Sequence, residues 1–232
     1  MTCPEAGLYH AVTMADDDPG EEGRAARPAE NGERPGLEIR FTDLHWLEGQ
    51  DERIDLCAHG SAFVRIGGDI VCEDLDTAVG AAVLNLLRTL REGHIGSGGV
   101  NCLLPHCGHG MFAVDGGEGV VVLNCFIGAD WTVCHAEDGT IVHKSERGHE
   151  VRVGRDDYQK LVFGLADQVE AFYRDSAPKA LPGDRADREG YEAFWREWRR
   201  RRQGPDEIKP PSRRRWGGLF RKKSGKKGET AP

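Results

Sequence analysis

Between residues 75 and 90 the chain places Leu75, Val79, Ala82, Val83, Leu86, Leu87 and Leu90 at helical spacing. That is a single apolar stripe on a segment whose flanks alternate at the strand period. A helix of this kind must bury its stripe against another layer, and the flanking runs supply one. Before it, LEIRFTDLHWL alternates Leu37, Ile39 and Phe41 with Glu38 and Arg40. IDLCAHG and AFVRIGGDIVC follow, the second with Gly67-Gly68 placed as a hairpin turn between two apolar runs. After it, MFAVD and VVVLNC flank GGEG, DWTVCHA and TIVHKSE flank EDG, and a short HEVRV closes the series. The expectation is an α+β domain in which a mainly antiparallel meander sheet packs against two or three helices.

The first helix is expected over LDTAVGAAVLNLLRTLREG, capped by Asp74 or Asp76. A second starts from a capping box of Asp156 and Gln159 and carries Tyr158, Leu161, Val162, Leu165, Val169, Phe172 and Tyr173 on one stripe. A third, about 187–202, puts Tyr191, Phe194, Trp195 and Trp198 on one face and crowds arginines at its C-terminal end, where they complement the helix dipole. An aromatic face of this size has to be covered, by the domain itself or by a partner. Trp195 and Trp198, together with Trp131, are therefore the candidate interface residues.

Charge divides the chain into three. Residues 1–35 hold 8 acids against 3 bases and residues 187–232 hold 7 against 15, so a net charge of -8 leaves -11 on the middle. The first segment, rich in Pro, Gly and acid, is expected to be disordered. Residues 36–203 are expected to form one domain, and 204–232 a disordered basic tail. An acidic body repels a phosphate backbone, which argues against nucleic acid as its partner and favours a basic protein. The tail sets Arg213, Arg214, Arg215, Arg221, Lys222 and Lys223 around Trp216 and Phe220. That combination suits contact with an anionic membrane surface. No apolar run follows a basic start, and the apolar helix carries Asn85 and Arg88. A cytoplasmic protein with peripheral contact at the inner membrane face is expected.

Seven cysteines without a secretion signal are expected as free thiols, with Cys57, Cys72, Cys125 and Cys134 serving as small buried apolar groups in strands. Two of the seven fall in NCLLPHCGHGMF, residues 101–112, beside two histidines. Zinc prefers thiolate and imidazole ligands, and His106, Cys107 and His109 supply three, with Cys134 completing a tetrahedron and Cys102, Cys125 or His135 as substitutes. A second reading makes Cys107 a nucleophile, activated by His109. The spacing matches no recognised zinc arrangement, and Pro105 and Gly108 equally describe a tight turn into the sheet. The acids Asp115, Glu118, Asp130 and Glu137 belong to turns, where Asp and Glu serve geometry and solubility. GSGG follows a helix and lacks the Lys-Ser/Thr ending of a phosphate loop. By size, acidity and absence of a standard catalytic motif, the chain resembles the small single-domain immunity and adaptor proteins of bacteria. The function expected is that of a binding or regulatory protein without a cofactor. The alternative is a zinc- or thiol-dependent enzyme centred on PHCGH.

Overall fold

The computed structural model describes residues 36–96, 102–108, 110–124 and 127–203, and the two terminal segments lie outside them. The chain is α+β. Its first sheet contains β1 (Leu37–His45), β2 (His59–Ile66) and β3 (Asp69–Ala78) in that spatial order, all antiparallel. Gly67, at φ 60°, makes the expected turn between β2 and β3. Helix α1 (Val79–Thr89) follows, then β4 (Leu104–Pro105), β5 (Gly110–Val114), a 3-10 turn at Asp115–Gly117, and β6 (Gly119–Leu123). β7 (Gly128–Ala129), β8 (Thr132–His135), β9 (Thr140–Lys144) and β10 (Glu150–Gly154) lead into α2 (Arg155–Asp175) and α3 (Arg185–Arg202). Every ladder is antiparallel, but the strands divide among two three-stranded sheets, β1-β2-β3 and β10-β9-β8, and two pairs, β4-β7 and β5-β6.

Two helix starts differ from expectation, for one physical reason. α1 begins at Val79, because the residues read as its first turn continue β3: Thr77 pairs with Gly60 and Asp76 with Ser61 on β2. Leu75 is accordingly a strand residue, and neither Asp74 nor Asp76 caps the helix. α2 begins at Arg155 on Gly154, which is still the partner of Thr140 in β10, so the Asp156 capping box is not formed. In both places a cross-strand partner decides where the helix can start. α3 does have a side-chain cap: Asp184 accepts hydrogen bonds from the N–H groups of Ala186 and Asp187.

The core lies between the helices and the inner faces of the sheets. Val79, Ala82, Val83, Leu86 and Leu87 of α1 are buried, as are Tyr158, Val162, Leu165 and Val169 of α2. Leu84 is buried too, so α1 is enclosed on more than its expected stripe. The aromatic face of α3 is covered by the domain itself. Trp195 stacks edge-on against Tyr173 and Phe194, and Trp198 is buried and donates its indole N–H to Glu170. α3 also lies across the β5-β6 hairpin at very short range: a Cβ on Gly190 would stand 1.8 Å from the Met111 carbonyl oxygen. Only glycine permits that approach. No helix among the described residues is long and apolar enough to cross a membrane.

α1, α3 and β6 are joined by a buried ion pair. Arg88 of α1 donates from Nε and Nη2 to the two carboxylate oxygens of Glu197 on α3, each at 2.9 Å. Arg88 Nη2 also donates to the Val120 carbonyl at 2.6 Å, and the Val120 N–H returns to Glu197 at 2.9 Å. Burial by itself would raise the Glu197 carboxyl, but the Arg88 hydrogen bonds and charge, the Val120 N–H and Arg201 together hold it below the usual carboxylate range. Glu197→Gln should cost about 1–3 kcal/mol in urea unfolding at pH 7, since it leaves the part-buried Arg88 guanidinium without its counter-charge. A depressed carboxyl stabilises above its unfolded value and loses that contribution as pH falls through the folded one. The gap between variant and wild type should therefore narrow in acid, below the ordinary carboxylate range.

Candidate functional site

The PHCGH segment is held from several sides. Pro105 pairs with Gly128 across β4-β7, the His106 N–H donates to the Ile127 carbonyl at 3.1 Å, and Thr77 Oγ1 donates to the Pro105 carbonyl at 2.7 Å. The Cys57 thiol donates to the Gly108 carbonyl at 3.0 Å, and the site a Gly108 Cβ would occupy lies within 3.3 Å of Ala78, Ala81 and Val122. The segment thus lies against the start of α1. His106 faces Asp76 at 3.6 Å, both half-exposed or more. Cys107 is half-buried near Cys57, whose thiol is pushed up to about 12 by burial, Asp55 and Cys107.

His109 and Cys125 lie outside the described residues. Cys134 sits on β8 in a disulfide, so its sulfur is not a thiolate ligand for zinc, and the expectation of a free thiol fails there. Cys57 and Cys72 do keep free thiols. Among the described residues no group of three or more His, Cys, Asp or Glu side chains is placed to hold a metal ion. His135, a substitute ligand on sequence grounds, instead donates Nε2–H to the Thr89 carbonyl at 2.9 Å.

The candidate interface tryptophans are core residues. Trp131 is 0% exposed and donates its indole N–H to His143 Nδ1 at 3.0 Å, Trp198 is equally enclosed, and Trp195 is half-buried in the aromatic cluster. Bulk and an indole N–H partner place them inside. The tail residues Arg213, Arg214, Arg215, Trp216, Phe220, Arg221, Lys222 and Lys223 lie outside the described residues. Of the turn acids, Glu118 pairs with Arg200.

Asp130 belongs to a different constellation. His94, just after α1, is fixed by two backbone hydrogen bonds with Val133 of β8, each 2.8 Å. Its Nε2 meets Asp130 Oδ1 at 2.7 Å, and the same oxygen accepts the Leu103 N–H at 3.1 Å. A carboxylate only accepts, so the His94 Nε2 carries a hydrogen. His94 lines a cleft of about 350 Å3 together with Asn85, Arg88, Val120, Val122 and Asn124. Asn85 braces one wall, donating to the carbonyls of Cys102 and Leu103 at 3.2 and 3.3 Å and accepting from Arg88.

The facing wall is the outer edge of β6. Val120 turns both its N–H and its carbonyl outward to the Glu197–Arg88 pair. Antiparallel alternation turns those of Val122, two residues on, the same way. Next to it, Asn124 Oδ1 is buried without a hydrogen-bond partner. The cleft thus borders a short edge of β6 at Val122 that no other strand among the described residues pairs, a feature that suits an extended peptide better than a reaction centre.

Sequence reading passed over His94 and Glu197 and saw Asn85 and Arg88 only as obstacles to a membrane span. The available signal was those two polar residues, three apart on an otherwise apolar helix, which demand partners when buried. No family model, no curated protein and no solved structure matches the chain, so function is read from the geometry of its own surfaces.

His143, the acceptor for Trp131, is lowered to about 3 by burial and by the charge of His135. With Nδ1 accepting from Trp131, Nε2 carries the hydrogen, and it is buried with no hydrogen-bond partner among the described residues. A histidine depressed on folding stabilises above its unfolded value of about 6.5, and that contribution is lost as pH falls toward the folded one. Wild type should thus lose up to ~1.4 kcal/mol per pH unit from this group between about pH 6.5 and 3. His143→Gln, which keeps an acceptor for Trp131, should remove one proton's worth of that slope in denaturant titrations followed by Trp fluorescence. Parallel slopes for the two proteins would contradict the assignment.

Proposed function

We propose that the protein is a binding protein of the adaptor or immunity kind, which engages a protein partner through the β5-β6 hairpin and the cleft beside it. The observation that supports this reading is the outer face of the hairpin. Phe112, Val121 and Leu123 are 45%, 44% and 55% exposed. Phe112 and Val121 are direct cross-strand partners, and Leu123 lies two residues further along the same face, opposite Gly110. A ribbon of two short strands with apolar side chains turned to solvent is a surface that gains by being covered. It adjoins the open edge at Val122, so an incoming extended segment would find main-chain hydrogen bonds and apolar contact side by side.

The acidic body supports a basic partner. Asp43 and Asp74 sit at bulges on the two edge strands of the first sheet, both with positive φ, and Glu73 and Asp74 are exposed. Among the described residues none of these three carboxylates is in an ion pair. Such a field accelerates encounter with a cationic partner. The basic tail supports a separate peripheral contact with anionic lipid.

Phe112→Asp combined with Leu123→Asp should leave the fold intact by circular dichroism, because both side chains point outward, and should abolish co-purification of the partner from the native cell. Retained co-purification would move the interface elsewhere. For the tail, vesicles containing anionic lipid should retain the full chain and release one ending at Gly204, with retention falling as salt rises. Equal partitioning of the two would dismiss the membrane contact.

A further inference from the structure

Arg91 and Arg155 have no carboxylate partner among the described residues, and both line one cavity. Most guanidinium groups here are neutralised: Arg40 and Arg65 by Glu38, Arg88 by Glu197, Arg147 by Asp69, and Arg202 by Asp167 and Glu170. Arg91 instead donates to the Gln203 carbonyl at 2.7 Å, and Arg155 reaches His135 Nδ1 at 3.5 Å. Both line a cavity of about 290 Å3 at the junction of the α1 C-terminus, the first turns of α2 and the end of α3. A third guanidinium, that of Arg201, lines it too. It is paired with Glu92 and Glu197, yet its Nε is buried without a hydrogen-bond partner.

Gln159 and Gln203 add polar groups, and the remaining lining is apolar or aromatic. Leu90, Ile141 and Tyr158 are buried, and Phe163 stands beside them. Arg155 is also held in place from behind. His135 donates Nε2–H to the Thr89 carbonyl, which fixes Nδ1 as the acceptor facing the guanidinium. Of the acids in the first turn of α2, Asp157 is paired with Lys160. With Arg201 neutralised by its two carboxylates, Arg91 and Arg155 bring two guanidinium groups to one hollow, and an anion seated between them would accept in-plane hydrogen bonds from the guanidinium forks. The volume sits at the small end of ligand pockets, enough for a single ring with its head group.

We propose that this cavity binds a small organic anion, an oxyanion head of the carboxylate or phosphate class carried on one apolar or aromatic ring. Arg91 and Arg155 hold the head, and Leu90, Ile141, Tyr158 and Phe163 receive the ring. The site is distinct from the hairpin and cleft, and it stands whether or not they bind a protein.

Isothermal titration of the full chain with phenyl phosphate, phenylacetate, inorganic phosphate and benzyl alcohol tests it. At least one of the two ring-bearing anions should saturate with a Kd below about 1 mM. Whichever binds more tightly identifies the head group. Inorganic phosphate and the neutral alcohol should each bind at least about tenfold more weakly. Arg91→Gln and Arg155→Gln, checked for an unchanged melting temperature, should each weaken the tighter anion about tenfold, and the wild-type affinity should fall with salt. Absence of saturable binding by either ring-bearing anion would overturn the proposal. So would equal affinity in the double variant, or inorganic phosphate binding as tightly as the ring-bearing anions.

Discussion

Glu197 presents two oxygens to four donors, Arg88 Nε and Nη2, the Val120 N–H and Arg201 Nη2, in a side chain only 3% exposed. Glu197 has left water and Arg88 largely has, so much of the attraction is offset by desolvation. What it determines is position. The pair links α1, α3 and the outer edge of β6 in the arrangement in which the guanidinium and carboxylate bonds are made together. The cleft follows from this. Arg88 and Asn85 hold the 102–103 segment on one side, Val120 is fixed on the other, and the space between is left to His94, Val122 and Asn124.

The same clamp explains why the hairpin shows its apolar face outward. β5 lies under α3 through the contact at Gly190, and Val120 on β6 is tied to Glu197, so the ribbon cannot roll its Phe112–Val121 face inward without breaking a buried ion pair. The arginines at the end of α3 extend the restraint to Glu118, Glu92, Asp167 and Glu170. Dipole complementation accounts for their place at a helix C-terminus, but most of their bonds cross to other elements.

What was legible in the sequence was local. The Gly67 turn, the burial of α1 and the stripe of α2 each follow from spacing within a few residues, and the α+β class follows from their order. The start of α1 was not legible, because residues 75–78 satisfy a helical pattern until β2, distant in sequence, claims them as a strand partner. PHCGH misled for the complementary reason. Its chemistry-bearing residues are adjacent in sequence, while the structure ties the segment down through the backbone and leaves His106 facing Asp76. His94 and Asp130 stand 36 residues apart and meet only because Val133 grips the His94 backbone. No periodicity marks such a pair.

Charge is distributed over this fold in a way composition alone conceals. A net -11 across the middle of the chain suggests a uniformly acidic surface, yet the carboxylates near α3 are largely engaged by its arginines, while Asp43, Glu73 and Asp74 on the bulged edges of the first sheet have no ion pair among the described residues. Arg91 and Arg155 are among the cations for which no carboxylate partner lies among the described residues. Neutralising the acids beside α3 therefore does more than fasten a helix. It leaves exposed carboxylates on the edges of the first sheet and the guanidinium groups of Arg91 and Arg155 without carboxylate partners among the described residues.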